Sequence, residues 1–139
     1  MNNFLNSPNT ELQKQNTKKS INNHMKVKHH SKIKINVGLD ENKVPIKIEW
    51  EASDNPNEGG TQECKAFLLS IFDKETKDTM KVDLWTTEMQ VNEMDRFFFQ
   101  TLRAMADTYF KATQNKELAG DMQRFVQYFG EQTEIIPKG

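Results

Sequence analysis

With 139 residues, 28% of them charged, and a formal net charge of −1, the chain has room for one domain and a tail and carries no overall bias toward nucleic acid or an anionic membrane. The single cysteine, Cys64, excludes an intrachain disulfide and a thiolate metal cluster within one chain. No stretch approaches the ~18 apolar residues of a membrane span, and the start lacks the apolar core of a secretory signal, so a cytoplasmic protein without membrane insertion is expected.

Charge is distributed unevenly. Residues 1–32 carry six lysines and one acid, a net of +5, and the rest of the chain carries −6. Residues 1–30 are rich in Asn, Lys, Gln and Ser and hold too little apolar surface to offset the entropy of ordering, which predicts a disordered basic tail. Met25 offers an alternative start, which would make 1–24 an upstream extension. A single folded domain is expected over 31–139.

Order begins where Ile33, Ile35 and Val37 alternate with Lys32, Lys34 and Asn36, the period of a half-buried strand. After the polar turn 40–43, Val44, Ile46, Ile48 and Trp50 alternate with Pro45, Lys47, Glu49 and Glu51, giving a second strand and a hairpin. The run 53–60 is a loop by composition. Residues 64–72 fit either a helical face or a strand; the strand is favoured because 73–78 then forms a hairpin connection into Thr79–Trp85. In that last strand Met80, Val82 and Leu84 alternate with Lys81, Asp83 and Trp85, and Leu84 is expected to face the core.

Beyond residue 90 the period changes to 3.6. Asn92 is the expected N-cap of a helix reaching about Thr113, with Glu93 and Asp95 in its first turn. A second helix is expected over 116–129, with Gly130 as its C-terminal cap and the final TEIIP left unassigned.

Three consecutive phenylalanines punctuate the long helix. With Phe98 at the centre of a helical wheel, Val91, Met94, Leu102, Met105, Tyr109 and Ala112 fall beside it and predict a stripe laid on the sheet. Phe98→Ala is accordingly expected to unfold the domain. Phe99 and Phe110 lie on one flank and Phe97 on the other, an apolar arc of roughly 200° that one sheet face does not cover. The second helix, another protein or a second copy of the chain would cover the remainder. Phe97, Phe99, Phe110 and Trp85, which parity turns away from Leu84, are the candidate interface residues. Packing beneath the 53–63 loop is the plainer account of Trp85.

Catalytic chemistry is not encoded in any recognisable constellation. His24, His29 and His30 all lie in the tail, so no Ser-His-Asp set can assemble and no zinc geometry is fixed. Glu49, Glu51 and Asp83 share faces with Lys47 and Lys81, which favours cross-strand ion pairing over acid–base work. Gly59-Gly60 lacks the spacing of a phosphate cradle. No catalytic, cofactor-binding or metal residues are assigned, and no nucleic-acid partner is expected.

The runs KIKINVGLDENKVPIKIEW, KVDLWTTEM, EMDRFFFQTL and MADTYFKAT, spread over about 31–135, resemble the gliding-motility protein GldC family of Bacteroidetes. That family usually begins near the position of Ser31, so the tail departs from its pattern. The resemblance implies a non-enzymatic accessory or adaptor protein of gliding motility, linked to type IX secretion and acting through protein contacts with motility or secretion components. It brings no cofactor and no catalytic residue. The expected fold is α+β: an antiparallel sheet of three or four strands with two C-terminal helices packed on one face. The alternative is a small-molecule-binding domain or unrecognised enzyme with a pocket between the long helix and the sheet.

Overall fold

A computed structural model describes residues 25–55 and 60–139 of the chain. The expected disorder of the tail falls, for 1–24, outside the described residues; 25–32 are exposed and form no helix or strand.

The described residues divide into two units. The smaller comprises 25–34 and 52–55, where the Ser53 N–H donates to the Lys32 carbonyl at 3.0 Å and the Lys32 N–H donates to Ser53 Oγ at 2.9 Å. The larger, 35–51 with 60–139, holds nearly all the regular structure.

Among the described residues, five strands form two antiparallel sheets, β1 (Ile33–Leu39), β2 (Pro45–Ala52) and β3 (Gln62–Cys64) in one, β4 (Ala66–Phe72) and β5 (Thr79–Trp85) in the other. The helices α1 (Val91–Thr113) and α2 (Lys116–Gln132) follow, giving the described residues an α+β arrangement. One sheet of three or four strands was expected; the difference lies at Lys65. There the strand that pairs with β2 as far as Cys64 breaks, and its continuation from Ala66 pairs with β5 instead. Residues 66–72 are strand, as favoured.

Both hairpins are closed by an aspartate. The Asp40 carboxylate accepts the N–H groups of Asn42 (2.8 Å) and Val44 (2.9 Å). The Asp73 carboxylate accepts those of Glu75 (2.9 Å) and Thr76 (2.7 Å), and these donors hold its carboxyl below the ordinary range. Lys43 and Lys77 take the left-handed conformation that completes each turn.

Ile48 in the middle of β2 is fully buried, whereas Val44 and Ile46 on the same face remain partly exposed. Burial therefore rises along the strand toward Cys64, the partner of Ile48 on β3.

Helix α1 begins two residues earlier than expected, with Gln90 as N-cap: its N–H donates to Glu93 Oε2 at 3.0 Å. Asn92 instead accepts the Glu93 N–H at 3.0 Å. The helix ends at Gln114 in the left-handed conformation, and Asn115 caps α2 through a 3.1 Å bond from the Leu118 N–H. Only two residues join the helices, which makes them neighbours.

The buried face of α1 follows the predicted stripe only in part: Met94, Leu102 and Tyr109 are half-buried, but the rest is not. Val91 is 81% exposed, Met105 53% and Phe98 38%, while Ala106 is fully buried and Phe99 half-buried. The apolar arc has rotated toward the Phe99–Ala106 flank because α2 packs close to α1. Small residues permit that approach: Ala106 on α1, Ala119 and Gly130 on α2 are all buried.

Gly130 is also not a cap. It is a helical residue of α2, and a Cβ there would stand 2.6 Å from Phe99 Cε2 and 2.9 Å from Ile136 Cγ1. Past Gln132 the chain folds back, with the Ile135 and Ile136 N–H groups donating to the Gly130 carbonyl at 2.9 and 3.2 Å. The unassigned TEIIP segment thus supplies Ile136 to the same contact.

Candidate interaction surface

The three phenylalanines have three different surroundings. Phe99 turns to α2 and rests on Gly130. Phe97, half-buried, lines a cleft of about 280 Å³ with Lys65, Ala66 and Met89. Phe98 stands between them, partly exposed, edge-on to Phe97 with ring centroids 6.3 Å apart and planes at 87°. Phe110, the fourth phenylalanine of the helix, is 38% exposed.

Across the Phe97 cleft, Lys65 Nζ and Glu93 Oε1 are 2.7 Å apart. The Lys65 ammonium, aided by the Gln90 N–H, holds the Glu93 carboxyl below its ordinary range; Glu93 in turn raises Lys65. A carboxyl lowered by folding contributes stability above its unfolded value and loses it as pH falls through the folded value. Glu93→Gln is therefore expected to destabilise at neutral pH, with the gap to the parent protein closing below the ordinary glutamate range. Denaturant midpoints at the two pH values check this.

Hairpin β4–β5 carries an extended apolar display. Its register sets Phe67, Leu69 and Ile71 across from Leu84, Val82 and Met80, so one face is apolar throughout. Phe67 and Leu84, at the base, are half-buried, but exposure climbs toward the tip, where Met80 is 60% exposed. Period 2 aligned these side chains on one face; Leu84, expected to face the core, is half-buried, and the face opens to solvent from there toward the tip.

On the other face, Trp85 lies across from Ala66 and is 55% exposed. Parity had turned it away from Leu84, and so it is placed. Residues 56–59 of the loop proposed to cover it lie outside the described residues. Lys81 and Asp83 share this face and form a 3.2 Å ion pair. Lys47 and Glu49 pair likewise at 2.8 Å. Both pairs join residues two apart on one strand rather than neighbours across strands. The Thr61 hydroxyl donates to Glu51 Oε2 at 3.4 Å.

Of the four candidate interface residues, the structure leaves Trp85 and Phe110 exposed and sets Phe97 and Phe99 partly inside. They do not form one patch on a single element.

Other chemistry is sparse. His29 and His30 are exposed, and among the described residues no group of three His, Cys, Asp or Glu side chains could hold a metal ion. Burial pushes the Cys64 thiol up, away from reactivity at neutral pH. A second cleft, about 380 Å³, runs between the helices past Phe99, Arg103, Gln123 and Val126. No helix among the described residues is long and apolar enough to cross a membrane.

No curated protein and no solved structure matches the chain. The profile of a family described as gliding motility-associated protein GldC-like matches residues 45–135, from the start of β2 through α2 and into the returning C-terminal segment. That span includes the β4–β5 hairpin, the helix pair and Gly130. By this match over more than half its length, the chain belongs to the gliding motility-associated GldC-like family.

Proposed function

We propose that this GldC-like chain is a non-enzymatic accessory protein of gliding motility that works in the cytoplasm as an adaptor, through protein contacts. The observation that carries this reading is the apolar display of the β4–β5 hairpin, with Met80 and Trp85 both more than half exposed on opposite faces. Contiguous apolar surface of this kind, beside charged side chains such as Lys81 and Asp83, suits a protein partner. Motility components or the type IX secretion apparatus of a Bacteroidetes cell are the partners that fit the family. Trp85 is the anchor on this reading, and Phe110 a second contact. The folded adaptor spans 31–139, and the basic tail takes no part.

Isolation of the tagged protein from its own cells after mild crosslinking tests the proposal. Motility or secretion components are expected to accompany the parent protein and to be lost with Trp85→Ala at unchanged melting temperature. Recovery of this chain alone, or an unchanged set of companions with Trp85→Ala, would overturn it.

A further inference from the structure

The outer edge of β5 is complementary to itself. The Lys65–Thr86 bond (Thr86 N–H to carbonyl, 2.8 Å) and the Asp73–Asp78 bond (Asp73 N–H to carbonyl, 2.8 Å) fix which residues of the hairpin are hydrogen-bonded pairs. Between them the alternation of an antiparallel ladder assigns Met80, Val82 and Leu84 to bonds with β4. Thr79, Lys81, Asp83 and Trp85 therefore aim their backbone N–H and C=O groups at the open side. Among the described residues, no strand pairs with that side.

An unpaired edge of seven residues is a template for another strand, and proteins commonly blunt such edges with charge. Here the charges are arranged to match rather than only to repel. Take two copies of β5 antiparallel about a two-fold axis at Val82. Lys81 of each then lies opposite Asp83 of the other, Met80 opposite Leu84, and Thr79 opposite Trp85. The Lys81–Asp83 pairs are also the ones whose backbone groups face outward, so ladder bonds and ion pairs coincide.

Neighbouring two-fold registers fail on charge. Centring on Lys81 sets that lysine against its own copy, and centring on Asp83 sets two carboxylates together, both unfavourable in directly opposed positions. Geometry and charge thus select one register out of the three.

We propose that the chain forms a two-fold homodimer by antiparallel β5–β5 pairing centred on Val82. The pairing converts two two-stranded hairpins, a form marginal by itself, into one four-stranded sheet. It also joins the two apolar faces into one continuous surface. The dimer does not depend on the adaptor reading, because it requires no other protein.

Charge exchange on the full-length chain tests the register. Sedimentation equilibrium is expected to give a dimer for the parent protein, and Lys81→Asp or Asp83→Lys alone to weaken it roughly tenfold or more, since two attractive cross-strand pairs become repulsive. Mixing the two single variants is expected to restore a heterodimer, and so is combining both exchanges in one chain to restore a homodimer. A variant that failed to fold would not be rescued by mixing. As a second reading, Val82→Cys in a Cys64→Ser background is expected to form an interchain disulfide on mild oxidation, because the facing Cα atoms of a non-hydrogen-bonded pair are about 4.5 Å apart. A parent protein that stays monomeric up to millimolar concentration would overturn the proposal. Single variants that dimerise like the parent would overturn it equally.

Discussion

Ile48→Ala is expected to cost about 2–5 kcal/mol of folding stability, a large share of the roughly 5–15 kcal/mol available to a domain. Ile48 is the one large side chain among the described residues with no solvent exposure at all. It sits at the register position of Cys64, close to where the first sheet ends and the strand breaks at Lys65. A cavity there removes contacts that exposed apolar residues elsewhere on β2 cannot replace. Denaturant unfolding at neutral pH measures the effect; Ile46→Ala on the same face, half exposed, is the internal comparison and is expected to lose much less.

Gly130→Ala is expected to cost about 1–3 kcal/mol through overpacking, although alanine favours a helix over glycine by about 1 kcal/mol. The added Cβ would stand 2.6 Å from the Phe99 ring, with Ile136 closing the other side. Either the ring moves or the helices part. Phe99→Leu in the Gly130→Ala background is expected to recover part of the loss, giving a coupling energy between the two positions in a double-mutant cycle. Phe98→Ala, expected from the helical wheel to unfold the domain, is now expected to be mild, since Phe98 keeps more than a third of its surface in solvent.

These two residues also show why the fold was only partly legible. The alternation around Ile48 was unambiguous, and β1, β2, β5 and both helices followed from period, while β4, whose period fitted helix and strand alike, was read from the hairpin connection 73–78. β3 was missed, because a three-residue strand has no period to detect. Gly130 carried a signature shared by two different roles. A glycine after an apolar helical run reads as a cap, and only the position of Phe99 reveals it as the contact point of two helices. The aromatic arc of α1 was read correctly as too wide for one surface. Which flank met α2 depended on the two-residue joint at Gln114-Asn115, where the left-handed Gln114 sets the direction of the second helix.

The interaction surface divides in the same way. Strand parity gave the face of Trp85, turned away from Leu84, but not its exposure, for which packing beneath the 53–63 loop was the plainer expectation. Phe99 was indistinguishable from Phe110 by its place on the wheel, on the flank opposite Phe97, and only the packing of α2 on Phe99 separated the two. The symmetry of Thr79–Trp85 about Val82 was present in the sequence. It acquires meaning only with the register of β5 on β4 known, because that register decides which backbone groups of β5 face outward.

Gliding on a surface tests most directly the claim that this chain serves motility through contacts made by an exposed hairpin. Cells lacking the protein would be supplied with the parent chain or with Trp85→Asp, and colony spreading compared at matched protein levels and melting temperatures. The account predicts that the parent restores spreading and that Trp85→Asp, folded and abundant, does not. Full spreading with Trp85→Asp would contradict it.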